Sequence, residues 1–119
     1  MSNPKILDTF LKKGKLTYNT QYFDTADFND YFVQGRFCFI SFRAKIKQEI
    51  PNQAVILTLP FKPAAGIELP IDLGYQYTID SQRFAYLTGS TKNVYIATTG
   101  EVNKYVHIRY VYPISEEEE

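Results

Sequence analysis

The feature that most constrains this chain is a two-residue alternation that runs from Arg36 to Lys47. Its apolar positions are Cys38, Ile40, Phe42, Ala44 and Ile46. Its polar positions are Ser41, Arg43, Lys45 and Lys47. This period is typical of a β-strand with one buried face and one wet face. The chain is therefore expected to build a sheet and to cover one side of it.

Two aromatic residues interrupt the polar face of this predicted strand. Phe37 and Phe39 occupy positions that the alternation assigns to solvent. Because large exposed apolar side chains mark contact surfaces, we expect this end of the strand to be covered on both sides. The cover would be a second sheet of the same chain or a neighbouring subunit, so Phe37 and Phe39 are candidate oligomer contacts.

Further short apolar segments follow at spacings of about eight to twelve residues. They are predicted as strands within residues 15–23, 31–33, 54–59, 67–74, 75–80, 83–89, 93–100 and 105–115. Residues 24–30 and 61–66 are predicted as loops, and Gln34-Gly35 as a turn. The 10 Tyr and 9 Phe residues also favour pleated, half-buried surfaces. The pattern predicts an all-β fold, a sandwich or barrel of eight or nine strands.

Proline residues determine where two of these strands end or lie. The apolar run before Leu59-Pro60 is only about six residues long, which suits a buried strand better than a helix. Proline has no N–H for a sheet ladder and biases the preceding residue towards extended geometry, so the chain is expected to leave the sheet at Pro60. Pro70 marks its segment as an edge strand.

The N-terminal segment alone has helical spacing. Residues 5–13 place Ile6, Leu7, Phe10 and Leu11 on one face, with Gly14 as a stop. Because so short a helix is marginal in isolation, it is expected to dock on its own domain or on copies of itself, with Ile6 and Phe10 as oligomer contacts. The predicted organisation is a helix or stalk segment (1–14), a β-domain (15–115) and a disordered acidic tail (116–119).

Charge and composition argue against several partners and cofactors. The 13 basic and 13 acidic residues give zero net charge, which argues against nucleic acid as a partner. No apolar stretch approaches the ~20 residues that span a membrane. One His and one Cys do not make a zinc site unaided, and the Asp24–Asp30 loop lacks the EF-hand spacing. No metal, cofactor or membrane partner is expected, and Cys38 is interpreted as a buried apolar residue.

An enzymatic role has weak support in the sequence. His107 is the only histidine, and no strand-turn-helix nucleophile motif is present. Glu68 and Asp72 share one face of a predicted strand and are the candidates for a paired-carboxylate glycosidase. The same alternation is typical of an exposed face, so the chain is predicted not to be an enzyme.

Four segments, taken in order, resemble a known family. They are YFVQGRFCFISFRAKI (31–46), ILTLPFKP (56–63), NVYIATTGEV (93–102) and HIRYVYPIS (107–115). Their order and spacing are similar to the C-terminal head domains of bacteriophage tail fibres and baseplate receptor-binding proteins, over residues 16–115. In that family a glycine often lies between the two prolines, where this chain has Phe61 and Lys62.

The resemblance implies a compact antiparallel β-sandwich, similar to a jelly roll, that assembles as a homotrimer at the tail tip or baseplate of a virion. It also implies binding to sugars or phosphosugar polymers of a bacterial surface, and contact with other tail or baseplate proteins. The N-terminal helix would be the remnant of a stalk.

Candidate saccharide-binding residues come from the polar and tyrosine-bearing loops. Tyrosine gives contact area at low entropic cost, and planar polar groups bind hydroxyls. The candidates are Asp27, Asp30, Tyr31, Tyr75, Tyr77 and Arg83. Three functions stay open at this point: a glycan-binding adhesion head, a structural or assembly module of a phage particle that binds no sugar, and a small glycan-active enzyme.

Overall fold

The computed structural model describes residues 12–64, 68–75, 78–88, 91–97 and 99–116. The described chain is all-β and antiparallel, and forms a β-sandwich. Its nine strands are β1 (Lys13–Lys15), β2 (Thr17–Tyr18), β3 (Phe28–Gln34), β4 (Phe37–Lys45), β5 (Val55–Thr58), β6 (Glu68–Tyr75), β7 (Thr78–Thr88), β8 (Asn93–Ile96) and β9 (Tyr105–Pro113).

The strands form one continuous ladder that folds over into two layers. Its order is β1-β3-β4-β9-β6-β7-β8-β5-β2. The first and last strands of this order, β1 and β2, are separated in sequence by Leu16 alone, so the chain crosses between the layers there. At the opposite corner the β6-β7 hairpin pairs with β9 through Gly74 and Tyr75, and with β8 through residues 85–87.

The core lies between the two layers and uses the apolar positions that the alternation predicts. All five predicted inward residues of the long strand are buried: Cys38, Ile40, Phe42, Ala44 and Ile46. The Tyr18 ring of β2 contacts the Phe42 ring of β4 at a centroid distance of 5.5 Å. Burying such rings from opposite layers is the main source of stability for a sandwich.

The apolar run before Pro60 is β5, as its length predicts. The Leu59 N–H still donates to the Lys92 carbonyl at 2.6 Å, whereas Pro60 has no N–H to continue the ladder. The chain then crosses the end of β9, where the Tyr112 hydroxyl donates to the Phe61 carbonyl at 2.7 Å and Pro63 forms a bridge with Ile114. The proline-containing segment therefore covers one end of the sandwich.

Three predicted boundaries are wrong. Residues 28–30, predicted as loop, belong to β3, because their pairing with β4 outweighs their turn propensity. Lys13 and Gly14, predicted as the helix end and its stop, lie in β1 and pair with β3. The sequence also predicts separate strands at 75–80 and 83–89 with a turn at Asp80-Ser81, but this turn is part of β7, and Tyr75 of β6 pairs with Thr78 of β7.

The predictions for Pro70, for the two ends of the chain and for membrane spans differ in outcome. Pro70 predicted an edge strand, and this prediction is wrong, because β6 lies between β9 and β7 in the sheet. The proline is tolerated because the pairing of β6 with β9 uses Gly74 and Tyr75, and Pro70 itself pairs only with β7. Residues 1–11 and 117–119, and with them most of the predicted helix and tail, lie outside the described residues. In the portion described, no helix has the length and apolar character needed to cross a membrane.

Candidate functional site

The candidate site lies on the outer face, which we define as the surface of the β1-β3-β4-β9 layer turned away from the core. Strand register fixes which side chains share this face. Lys13, Phe32, Phe39 and Val111 form one row across the four strands, and Lys15, Asp30, Ser41 and Arg109 form the next. A third row contains Phe28, Arg43 and His107. Directly opposed side chains on one face of a sheet are close enough to interact.

A groove of about 580 Å³ opens on this face between β1, β3 and β4. Small-molecule sites commonly have volumes of about 300–1,000 Å³. Its lining residues are Lys13, Gly14, Lys15, Asp30, Tyr31, Phe32, Phe39 and Ser41. The groove therefore has the size and the mixed apolar and polar lining of a ligand site.

An aromatic wall and a charged rim define the chemistry of the groove. The Phe32 and Phe39 rings are parallel, with centroids 4.6 Å apart, and the side chain of Phe32 is 44% exposed. In the next row the Lys15 ammonium pairs with the Asp30 carboxylate at 2.5 Å, with both groups exposed. An apolar ring surface beside hydrogen-bonding groups suits a ligand with CH patches and hydroxyls, such as a sugar.

Tyr31 contributes to this site mainly through packing. Its register partners are Gly14 and Ile40, on the core side of the sheet, and its ring meets Phe61 edge-on at 5.8 Å. A Cβ at residue 14 would lie 2.8 Å from the Tyr31 ring. The glycine predicted as a helix stop therefore permits a close approach between β1 and the ring of β3.

Basic and aromatic side chains pack together in the third row and beside it. The Arg43 guanidinium lies over the Tyr105 ring at 4.5 Å and pairs with Asp27 at 2.5 Å. The Arg109 guanidinium lies over the Phe28 ring at 5.5 Å, and its Nε–H donates to His107 Nε2 at 3.3 Å. We call Phe28, Arg43, His107 and Arg109 the Arg-His cluster.

The pKa of His107 is lowered from its ordinary value in this cluster. Burial of the imidazole is the largest cause, followed by the positive charges of Arg109 and Arg43. The neutral imidazole is the form that accepts the Arg109 hydrogen bond, because a protonated ring has no acceptor nitrogen. Burial and the two nearby positive charges therefore all favour the neutral form of His107.

The structure brings together part of the residue set predicted from sequence. Asp30 and Tyr31 line the groove with Phe39, and Asp27 contacts the same face through Arg43. The backbone of Tyr75 pairs with Val106, on the far side of β9 from β4, and Arg83 lies within β7. The side chains of Tyr75 and Arg83, and all of Tyr77, Ile6 and Phe10, lie outside the description.

Phe37 and Phe39 share the outer face, as the alternation predicts. Phe37 is 50% exposed, and Val111 in the next row is 42% exposed. Among the described residues no second layer covers Phe37. Its cover by a neighbouring subunit stays a prediction.

Sequence reasoning missed Lys13, Lys15 and Phe32 as groove residues. The two lysines were assigned to a helix end and to the start of a weak strand. A short alternation, Lys13-Gly14-Lys15, was the available signal, but three residues cannot establish a period. Phe32 was visible as an apolar strand residue, and only its pairing with Phe39 shows that it points outwards.

Metal and thiol chemistry receive no support from the described side chains. Within the ranges that the structure describes, no group of three or more His, Cys, Asp or Glu residues could hold a metal ion. Burial raises the pKa of the Cys38 thiol to about 11, although a hydrogen bond with Tyr112 opposes the shift. Cys38 is thus a buried apolar residue in this fold.

Comparisons with known proteins add no relative. No family model matches the chain, and neither a curated protein nor a solved structure matches it significantly.

Proposed function

We propose that this chain is the receptor-binding head of a phage or phage-like particle, that it binds saccharide of the host cell surface, and that it acts as a homotrimer without catalysing a reaction. The groove carries this proposal, because a stacked aromatic pair and a lysine-carboxylate pair lie in neighbouring rows of one open site. The resemblance of residues 16–115 to phage head domains gives the setting, the tail tip or baseplate of a virion.

The groove meets the physical requirements of saccharide binding. A sugar ring presents an apolar CH face, which packs on an aromatic surface, and hydroxyl groups, which need donors and acceptors. Phe32 and Phe39 supply the aromatic surface. Lys15, Asp30 and Ser41 supply charged or polar groups within the same lining. Both strands that carry the Phe pair are paired along seven residues, so the two rings project from a regular part of the sheet.

Assembly into a homotrimer rests on the apolar row that continues beyond the groove. Phe37 lies opposite Pro113, and Val111 lies opposite Phe39. The exposure of Phe37 and Val111 gives this end of the outer face more apolar surface than a solvent-facing strand requires. Cyclic assembly covers such surface with the same surface of sister copies or with a complementary patch.

The groove is tested by comparing two stacked aromatic pairs in a binding assay. Phe39→Ala removes one ring of the groove pair, and Tyr95→Ala removes one ring of the Tyr86–Tyr95 pair in the other layer, whose centroids are 5.2 Å apart. Binding to susceptible bacteria, and to polysaccharide extracted from them, is measured for wild type and both variants. We expect Phe39→Ala to lose at least about tenfold in affinity, as when a stacked ring is removed, and Tyr95→Ala to bind like wild type.

Two results would contradict the groove assignment. One is equal binding by Phe39→Ala and wild type, with both folded by circular dichroism. The other is loss of binding in Tyr95→Ala alone, which would move the site to the other layer. Size-exclusion chromatography with light scattering tests the trimer separately. A stable monomer at micromolar concentration would refute it.

A structural or assembly module is the second candidate, because the exposed apolar residues Phe37 and Val111 would equally suit another subunit of the particle. This candidate predicts oligomer formation that Phe37→Ser weakens, together with no binding to any host polysaccharide. The binding assay above therefore separates the two functions.

A further inference from the structure

The Arg-His cluster lies beside the groove but does not line it. Arg43 is directly opposite His107, and Arg109 is directly opposite the groove residue Ser41. The residues that alternate with them, Phe42, Val106 and Ile108, are buried. Both arginines and the histidine therefore project from the outer face.

Aromatic rings hold the two guanidinium groups in place. Arg109 lies over Phe28, and the Phe28 ring also meets the His107 ring edge-on at 5.4 Å. Arg43 lies over Tyr105. A guanidinium that rests on a ring keeps its N–H donors in its own plane, directed away from the ring, and loses less entropy when it binds a ligand.

The hydrogen-bonding capacity of Arg109 is only partly used. Its Nε–H donates to His107, and among the described residues no acceptor binds its two terminal nitrogens. Its side chain is exposed. Those terminal nitrogens carry four N–H donors, in the planar fork that matches an oxyanion.

Positive charge dominates this part of the surface, although the whole chain has no net charge. The described outer face carries the cations Lys13, Lys15, Arg43, Lys45 and Arg109, against the carboxylates of Asp27 and Asp30. Each carboxylate is already paired, Asp27 with Arg43 and Asp30 with Lys15. Within the cluster Arg43 is paired with Asp27, whereas no carboxylate among the described residues pairs with Arg109.

We propose that Arg109, supported by His107 and Phe28, forms a binding site for an oxyanion, namely a phosphate, sulfate or carboxylate group. The terminal nitrogens of Arg109 donate to the bound oxygen atoms, and Arg43 adds a second positive charge from the neighbouring strand. The site stands on this cluster alone and does not require that the groove bind sugar.

The single histidine makes this proposal directly measurable, because the one imidazole resonance of the chain reports on the site without assignment. The His107 ring signals are followed by NMR at fixed pH while phosphate, sulfate or acetate is added to the intact chain. Sodium chloride at matched ionic strength controls for screening. We expect the His107 signals to shift in a saturable way with at least one of the three oxyanions. With chloride we expect no saturable shift.

Two variants with the same change of charge show whether Arg109 is responsible. Arg109→Gln is expected to weaken oxyanion binding about tenfold, the loss of a charge-assisted hydrogen bond. Arg36→Gln removes a guanidinium that instead donates to the Ser115 carbonyl, and is expected to leave binding unchanged. Arg109→Lys keeps the charge without the planar fork, and its affinity for the oxyanion is expected to lie between those of Arg109→Gln and Arg36→Gln.

The proposal is overturned if the His107 signals respond to the oxyanions only as they do to chloride. It is equally overturned if Arg36→Gln weakens binding as much as Arg109→Gln, because the effect would then be one of overall charge. Circular dichroism and thermal unfolding of each variant show that a lost response comes from the site and not from a lost fold.

Discussion

The two faces of β4 differ sharply, although they belong to one strand of nine residues. The inner face carries Cys38, Phe42 and Ala44, none of which is exposed to solvent. The outer face carries the half-exposed Phe37, the groove residues Phe39 and Ser41, and Arg43 of the Arg-His cluster. The inner face is specified by one requirement, apolar packing, whereas the outer face changes its chemistry every two residues.

Stability and binding therefore reside on different faces of the strand. Inner side chains are surrounded by side chains of their own sheet and of the opposite layer, so their removal leaves a cavity. Outer side chains contact neighbours along the sheet only, so their removal costs less and leaves the ladder intact. Replacing residues one by one along β4 should therefore separate effects on unfolding from effects on binding.

The largest expected effect comes from the matched pair Phe42→Ala and Phe39→Ala. Phe42 is fully buried against Tyr18 and Phe23, and its loss is expected to lower the free energy of unfolding by about 3–5 kcal/mol. Phe39 stacks on Phe32 at the surface, and its loss is expected to cost about 1 kcal/mol. Urea denaturation of the three proteins measures both values. Similar losses of unfolding free energy in the two variants would contradict the difference between the two faces.

A thiol probe tests the same distinction without removing a ring. Burial raises the pKa of Cys38 to about 11 from 9.0, which lowers its thiolate fraction by about a hundredfold before access is considered. The native chain is therefore expected to react with a soluble disulfide reagent at least about a hundredfold more slowly than the unfolded chain. In the variant Ser41→Cys, the new outer-face thiol is expected to react rapidly while Cys38 stays unreactive. Fast native labelling of wild type would contradict the burial of this face.

The pH dependence of stability is a smaller effect and belongs to the outer face. Because the pKa of His107 is lowered in the folded chain, the unfolded chain binds more protons as the pH falls below 6.5. The contribution of His107 is thus fully present above that pH and is lost on acidification through the lower, folded pKa. Denaturation between pH 7 and pH 5 is expected to show this decrease, and His107→Gln is expected to remove part of it. A profile unchanged by His107→Gln would show that other groups cause the decrease.

The smallest expected change separates the causes that act on His107. Arg109→Gln removes a nearby positive charge and the donor that favours the neutral imidazole, so the pKa of His107 is expected to rise towards its ordinary value. Burial, the largest cause, stays in place, so the return is expected to be partial. NMR titration of the single histidine measures it. A further fall of the pKa in this variant would contradict the arrangement of the Arg-His cluster.

Much of the fold follows from sequence wherever one face of a strand is uniformly apolar. The inward positions of residues 38–46 and the strand that ends before Pro60 are confirmed. The edge strand predicted from Pro70 is wrong, because β6 lies between β9 and β7. The other predictions that are wrong concern residues 13–14, 28–30 and 80–81, where local turn or helix signals were read. In the first two segments, strand pairing with distant residues outweighs those signals.

The candidate site could be predicted only in fragments. The sequence indicates Asp30 and Tyr31 as saccharide-binding candidates and Phe39 as an oligomer contact, but nothing in a linear pattern joins them to Lys13 and Lys15 in one groove. The Arg-His cluster was invisible for the same reason, since Phe28 and His107 are almost eighty residues apart in sequence and meet across β4. A site assembled from four strands depends on register, which alternation alone does not specify.

Alternation in the sequence is enough to predict β-strands with one apolar face and to identify the residues of that face, because side chains point to opposite sides in turn along any β-strand. The tertiary structure alone decided which strands are neighbours and which rows their outer side chains form. Burial stabilises an apolar side chain at any inner position, whichever strand lies next to it. The groove and the Arg-His cluster, in contrast, exist only in the one register that sets β1, β3, β4 and β9 side by side.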